Sequence, residues 1–153
     1  MHLQILVANE DDFETILSLQ KECYQTEAEL HNEYTIPPLI QTIDEMKMEM
    51  QQGTMFLKCI VYGKIIGSVR GYISNETAFI GRLIVDKQFQ NKKIGQTLMK
   101  EIETQLNTCF RYELFTGFKS EKNLTLYQKL GYREYKRHFI NDNLTLVYLE
   151  KIR

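Results

Sequence analysis

The segment VDKQFQNKKIGQTLMKEIETQL, Val85 to Leu106, sets Lys92 and Lys93 where the apolar spacing begins a helix. A helix N-terminus carries about half a positive charge and unpaired N–H groups, so a lysine there costs roughly 0.3–1 kcal/mol unless an anion lies close. Gln90, Asn91, Lys92, Lys93, Ile94, Gly95 and Gln96 combine converging N–H groups, two cations and a glycine, the chemistry that cradles a phosphate. Charge alone leaves open a solvated turn whose lysines point away from the helix axis. A second stretch, KECYQTEAELHNEYTIPPL, sets Glu22, Glu27, Glu29 and Glu33 against a single lysine and interleaves Tyr24 and Tyr34. An acidic, aromatic pocket of this kind would draw a cationic amine, and an ordinary charged surface loop has the same composition.

The elements that must position these residues follow from periodicity and turn chemistry. LQILVA reads as a strand, and Asn9 caps a helix carrying Phe13, Ile16 and Leu17 on one face. A polar stretch closed by Pro37 and Pro38 leads to a second helical pattern, IQTIDEMKMEMQQ, ending at Gly53. TMFLKCIVY, KIIGSVRGYI and TAFIGRLIV then read as an antiparallel meander, with turns at Gly63-Lys64 and Ser74-Asn75-Glu76. The lysine-bearing helix follows, with Ile94, Leu98, Ile102 and Leu106 at four-residue steps and Met99 alongside. RYELFTGF reads as a strand, SEKNLTLYQKLGY as a helix capped by Ser120 and ended by Gly131, and the rest as a hairpin around Asn141-Asp142-Asn143. The expected fold is α/β (α+β): one domain over residues 1–153, with a mixed, mostly antiparallel sheet of six to seven strands and helices on both faces.

Composition removes several function classes. A chain of 153 residues, 43% hydrophobic, supports one domain that buries about two-thirds of its unfolded surface. A formal net charge of −1 argues against nucleic acid as a partner, since phosphate-backbone binders carry a basic excess. Cys23, Cys59 and Cys109 form no CxxC pair, and His2, His31 and His138 lack zinc spacing, so reduced thiols and no metal are expected. No apolar run is long enough to span a membrane and MHLQILVANEDD lacks a signal-peptide core, which points to a cytoplasmic protein.

With these residues in place, the chain resembles the GNAT-type acyl-CoA N-acyltransferases. The signature of that family is Gln or Arg, two residues, Gly, one residue, then Gly or Ala, after a strand ending in Leu-x-Val. Leu83-Ile84-Val85 is followed by Gln90, and then by Lys93, Ile94 and Gly95. Lys93 stands where the signature has its first glycine. If that position requires a positive φ, the lysine is strained by roughly 1–2 kcal/mol. The match extends to LYQKLGY, Leu126 to Tyr132, where the family places a tyrosine beside the thioester sulfur, here Tyr127. Ser120 stands where many relatives carry an asparagine touching the pantetheine arm, and Asn123 where they often have a small residue.

The resemblance implies direct transfer of the acetyl group of acetyl-CoA, as cosubstrate and without a metal, to a primary amine of a small molecule or a peptide. A cationic amine or polyamine is favoured. The diphosphate would sit on the N–H groups of residues 91 to 96, helped by Lys92 or Lys93. Leu83, Ile84 and Val85 would present backbone groups to the pantetheine arm, with the Leu83 N–H polarising the thioester carbonyl. Tyr127 would give a proton to the departing thiolate. Glu29, Glu33 and Tyr34 fall where the family forms the acceptor wall. The strand before the signature has Gly81 and Arg82 where a basic glutamate might be expected, which leaves Glu76, Glu27, Glu29 and Glu33 as candidate bases. A non-catalytic acyl-CoA-binding sensor is the alternative, and the closing strands, with Phe139 and Tyr148, could pair two copies as a homodimer.

Overall fold

A computed structural model describes all 153 residues. Strands β1 (Leu3–Val7), β2 (Met55–Val61), β3 (Lys64–Ser74), β4 (Thr77–Val85), β5 (Arg111–Gly117), β6 (Arg133–Asn141) and β7 (Leu144–Ile152) form one sheet in the order β1-β2-β3-β4-β5-β7-β6. The helices are α1 (Phe13–His31), α2 (Pro37–Ile40), α3 (Ile43–Gln51), α4 (Ile94–Gln105) and α5 (Glu121–Lys129). Every strand pair is antiparallel except β4 and β5, so the sheet is mixed as the sequence implied.

The β4–β5 pair shapes everything that follows. Only Thr77 to Phe79 pair with Arg111 to Glu113, after which the strands diverge. From Ile80 to Val85, β4 has a neighbour only on its β3 side, so the backbone groups facing β5 have no strand partner. A β-bulge lies in the same stretch. Ser68 pairs with Ile84 and Arg70 with Gly81, which sets Arg82 and Leu83 together opposite Val69. Arg82 takes φ +52, the left-handed conformation that turns a side chain out of the regular alternation.

Two apolar clusters hold the helices to opposite faces of the sheet. Helix α4 buries Ile94, Leu98, Met99 and Ile102 against β2, β3 and β4, as its four-residue spacing requires. On the other side Phe13, Ile16 and Leu17 of α1 and Met46 of α3 close over Phe56, whose ring lies 4.7 Å from that of Phe13. Asn9 forms a capping box with Asp12 just ahead of α1, and Thr42 does the same with Glu45 at the start of α3.

Helix α1 differs from expectation. The polar stretch after Tyr24 is helical through His31, ending where Asn32 adopts φ +50. Its sequence, QTEAELH, contains no helix breaker, and burial of Ala28 and His31 supplies the packing that a polar composition concealed. Glu27 and Glu29 are therefore helical, and Tyr24, Glu27 and His31 share one face.

A buried polar cluster joins α1 and α3 to the sheet. Arg70 of β3, only 4% exposed, donates to Gln20 Oε1 (2.5 Å), Gln41 Oε1 (3.1 Å) and Glu49 Oε2 (3.1 Å), and stacks 4.5 Å over the Phe56 ring. Burial draws its pKa down to about 10, with Glu49 opposing the shift, so the guanidinium stays charged at neutral pH. Gln20 also donates to the Pro38 carbonyl, tying in α2. Replacing Arg70 by alanine leaves Glu49, Gln20 and Gln41 without their shared donor. It is expected to lower unfolding free energy by about 2–3 kcal/mol in urea titration, below the cost of breaking a fully buried pair because Glu49 is partly exposed.

Candidate active site

The gap between β4 and β5 holds two adjoining hollows. The first is a groove of about 720 Å³ between β4, α4, α5 and the middle of α1. Leu83, Ile84, Val85, Gln90, Asn91, Lys93, Ile94, Gly95, Gln96 and Asn123 line it. The backbone N–H groups from Asn91 to Gln96 find no acceptor within the chain, and the first turn of α4 carries no acidic residue. Lys87, Lys93, Lys122 and Lys129 surround this opening with positive charge. Unpaired amides, a helix N-terminus and four lysines are what an anion requires. A Cβ on Gly95 would make only ordinary contacts, the nearest 3.5 Å from Leu126 Cδ2, but it would stand on the groove floor.

The loop reaches this shape at a cost. Lys93 takes φ +64 and ψ 19 and Asn91 takes φ +62, so the position where the family signature has glycine is indeed left-handed. Asparagine tolerates that region, whereas lysine does so only under constraint. The Gln90 side chain anchors the loop by donating to the Val85 carbonyl at 3.1 Å. The Cys23 thiol donates to the same carbonyl at 3.4 Å, and burial pushes its pKa up to about 11, so it remains a thiol.

The second hollow, about 350 Å³, lies deeper along the divergence, bounded by α1, the loop after it, β4, β5 and the β6–β7 hairpin. Tyr127 of α5 is 6% exposed and lines it, with a hydroxyl that makes no hydrogen bond within the chain. Burial pushes its pKa far up, and Tyr24 and Glu27 push the same way, so the phenol holds its proton throughout the physiological range. Glu27 accepts from Ser120 Oγ and from Asn123 Nδ2 (3.5 Å), and Asn123 also donates to Thr116 Oγ1 (3.3 Å). Glu33 accepts from Asn141 Nδ2 (2.7 Å) and from Thr35 Oγ1 (3.0 Å).

His31 is a strut in this wall. Its Nδ1 lies 3.0 Å from the Glu27 carbonyl, and its Nε2 accepts the Lys119 N–H at 3.1 Å, so the partners assign the proton to Nδ1. The ring packs so close to β5 that a Cβ on Gly117 would stand 2.4 Å from it. Glycine is required there by contact, since its φ is ordinary.

The structure thus brings most of the sequence-derived set together. Lys92 is exposed outside the groove, and Ser120 is buried under α5 against Glu27, reaching neither hollow. Ser120 begins α5 but makes no side-chain cap, because its hydroxyl is committed to Glu27. Glu33 lines the deeper cavity, while Glu29 and the half-exposed Tyr34 lie outside both. Glu76, in the β3–β4 turn, sits at the closed end of the β4–β5 pair, away from both hollows. Arg82 and Asn141 also line the deeper cavity, and sequence reasoning assigns neither a place there, whereas Tyr24 belongs to the acidic, aromatic stretch already singled out. The spacing of Tyr24, Glu27 and His31 on one helical face is the signal that sets Tyr24 beside Glu27.

Comparison with known proteins agrees with this geometry. The family model described as an acetyltransferase (GNAT) domain matches residues 20–153. The chain belongs to the GNAT acetyltransferase family. It is 37% identical over 79 residues to N-alpha-acetyltransferase 30 of Dictyostelium discoideum, an alignment covering 50% of this chain and 43% of that protein. It is also 31% identical over 90 residues to the uncharacterized N-acetyltransferase YitH of Bacillus subtilis, covering 58% of this chain and 30% of that one. The chain thus spans less than half the length of these curated relatives. Among solved structures, the PaiA N-acetyltransferase of Thermoplasma acidophilum, in complex with coenzyme A, superposes with TM-score 0.79 at 19% identity over 100% of both chains. The ribosomal-protein-S18-alanine N-acetyltransferase of Escherichia coli gives TM-score 0.81 at 11% identity over 99% of this chain and 94% of that one. These likenesses show the fold.

Lys93→Gly is expected to relieve the left-handed strain and raise unfolding free energy by about 0.5–1 kcal/mol, read by urea titration. A less stable variant would mean that side-chain contacts of Lys93 outweigh its backbone strain.

Proposed function

We propose that the protein transfers the acetyl group of acetyl-CoA to a primary amine. One observation carries this reading: Tyr24, Glu27, Leu83 and Asn123 line both hollows, so an anion-suited groove and a second cavity meet at a single junction. A thioester seated there supplies an activated acyl carbon, to which the amine nitrogen bonds to give a tetrahedral oxyanion, and whose bond to sulfur then breaks as the carbonyl re-forms.

The chain's own groups fit that exchange. The amides of residues 91 to 96, with Lys93 and Lys87, neutralise the diphosphate. The open edge of β4 from Leu83 to Val85 accepts a peptide-like arm as an added strand, with the Leu83 N–H directed at the developing oxyanion. Tyr127 donates its O–H to the departing sulfur, and its upward-shifted pKa keeps that proton available at any working pH. Glu27, the carboxylate at the junction, takes the proton that the amine must lose, and Ser120 and Asn123 hold it in place.

Structures of the same fold differ in the acceptors their names give, one being a spermidine N-acetyltransferase chimera and another a ribosomal-protein-S18-alanine N-acetyltransferase, so the acceptor must come from this chain's own cavity. The free cysteines at 23, 59 and 109 suit a reducing compartment such as the cytoplasm, and no helix is long and apolar enough to cross a membrane.

Calorimetric titration with acetyl-CoA is expected to show micromolar binding that NAD and ATP do not reproduce. Gly95→Leu fills the groove floor without striking the core, so it should weaken that binding about tenfold or more while thermal stability holds within about 1 kcal/mol. Unaltered affinity would remove the groove as the cofactor site. Tyr127→Phe should lower kcat by about 100-fold with acetyl-CoA affinity preserved. In the wild type, kcat should show no basic limb near pH 10, the ordinary tyrosine range of about 10; such a limb abolished in Tyr127→Phe would contradict the buried, fully protonated phenol.

A further inference from the structure

Arg82 is the one charged group of the deeper cavity with no partner. Both cavity carboxylates are engaged, Glu27 by Ser120 and Asn123 and Glu33 by Asn141 and Thr35. Arg70, nearby on β3, is held by Glu49. Arg82 makes no ion pair and no hydrogen bond, and its Nε is sealed from water without an acceptor. An Nε–H that has lost its water and gained no acceptor is destabilising unless a ligand completes it, and the partly exposed remainder of the guanidinium leaves room for that ligand. Its placement in the left-handed bulge of β4 sets it one residue before Leu83, at the junction with the groove.

We infer that Arg82 receives the carboxylate of the acceptor, and that the acceptor is a small zwitterionic amine of the amino-acid class; this rests on the acetyl-transfer reading above. The planar fork of arginine matches a carboxylate with two parallel hydrogen bonds. The cavity carries charge of both signs, which suits an ammonium beside Glu27 and Glu33 and a carboxylate on Arg82. A polyamine would instead meet an uncompensated cation. A cavity of about 350 Å³, lined on its hairpin side by Ile140, Leu144 and Leu146, is of a size for one such molecule. Arg82 is a specificity-determining residue here, and the chemistry at nitrogen is that already described.

The test compares four acceptor pools at equal amine concentration: the twenty amino acids, their carboxamides, a mixture of short peptides, and spermidine. Free thiol released from acetyl-CoA is followed for the wild type and Arg82→Gln, and saturation-transfer NMR in the presence of CoA records which pool binds. The amino-acid pool should bind and turn over best, and Arg82→Gln should lower kcat/KM for the responding acid by about 10–100-fold, the worth of a charge-assisted pair. The same variant should leave its carboxamide within about threefold, since no such pair is lost there. Preference for carboxamides, peptides or spermidine in either readout overturns the inference while leaving acetyl transfer intact. Failure of the amino-acid pool to bind also overturns it. Binding of amino acids with no turnover of any pool upholds the Arg82 contact and rejects catalysis instead. An equal loss for acid and carboxamide in Arg82→Gln would show that Arg82 is structural.

Discussion

Three residue pairs of parallel pairing, followed by divergence, are the constraint on which this molecule's site depends. Sheets gain stability from completed ladders, and an unpaired run in mid-sheet leaves backbone donors and acceptors unsatisfied. Here that run is lined by helix faces and loops rather than filled, so a ligand can pair with it. The two hollows are consequences of one opening: the groove where α4 begins, and the cavity where the closing hairpin lines the far side. The bulge at Arg82 and Leu83 lies within the same unpaired stretch, so the irregular part of β4 is also the part that faces both hollows.

An opening of this kind must be propped, and two polar clusters do it. Arg70 ties α1, α2 and α3 to β3 through side-chain amides and Glu49, and its charge is sustained at neutral pH because those partners replace water. His31, Glu27, Ser120 and Asn123 tie α1 to β5 and α5 across the opening itself. The apolar clusters supply most of the favourable free energy, but they are non-directional and would equally stabilise a closed sheet. Directional hydrogen bonds hold α1 at a fixed distance from β5. Glu27 belongs to one of these props and to the junction of the hollows at once, which couples its orientation to the fold.

Three of the chain's seven left-handed non-glycine residues lie at the candidate site. Arg82, Asn91 and Lys93 all have positive φ, and none is glycine. Each such residue is held by its surroundings against roughly 1 kcal/mol or more of local strain. The other left-handed non-glycine residues are Asn32, which ends α1, and Tyr62, Asn75 and Glu76 in the tight turns of the meander, where hairpin geometry calls for that conformation. Arg82 and Lys93 differ from those in closing no hairpin and ending no helix, so neither of those local needs accounts for their conformation.

The amino-acid sequence by itself determined the order of the strands and of the longer helices, the antiparallel meander, the α4 face formed by Ile94, Leu98 and Ile102, and the lysine-bearing loop ahead of Gly95, though not the separate short helix α2 at Pro37–Ile40. These features are local, arising from periodicity, capping and turn chemistry within a dozen residues or so. It also singled out Tyr127, through the family motif, and the fold sets that residue in the lining of the deeper cavity. It did not extend α1 beyond Tyr24, because a polar helix takes its stability from burial against distant strands, as Ala28 and His31 show. Nor could it show that Glu29 and Tyr34 face away, that Ser120 turns inward to Glu27, or that Arg82 stands unpartnered. Those facts depend on which strand lies opposite which helix, and on where a parallel pair stops. Only tertiary structure decides that, because side chains far apart in the chain share a cavity only after the sheet has closed around its one open seam.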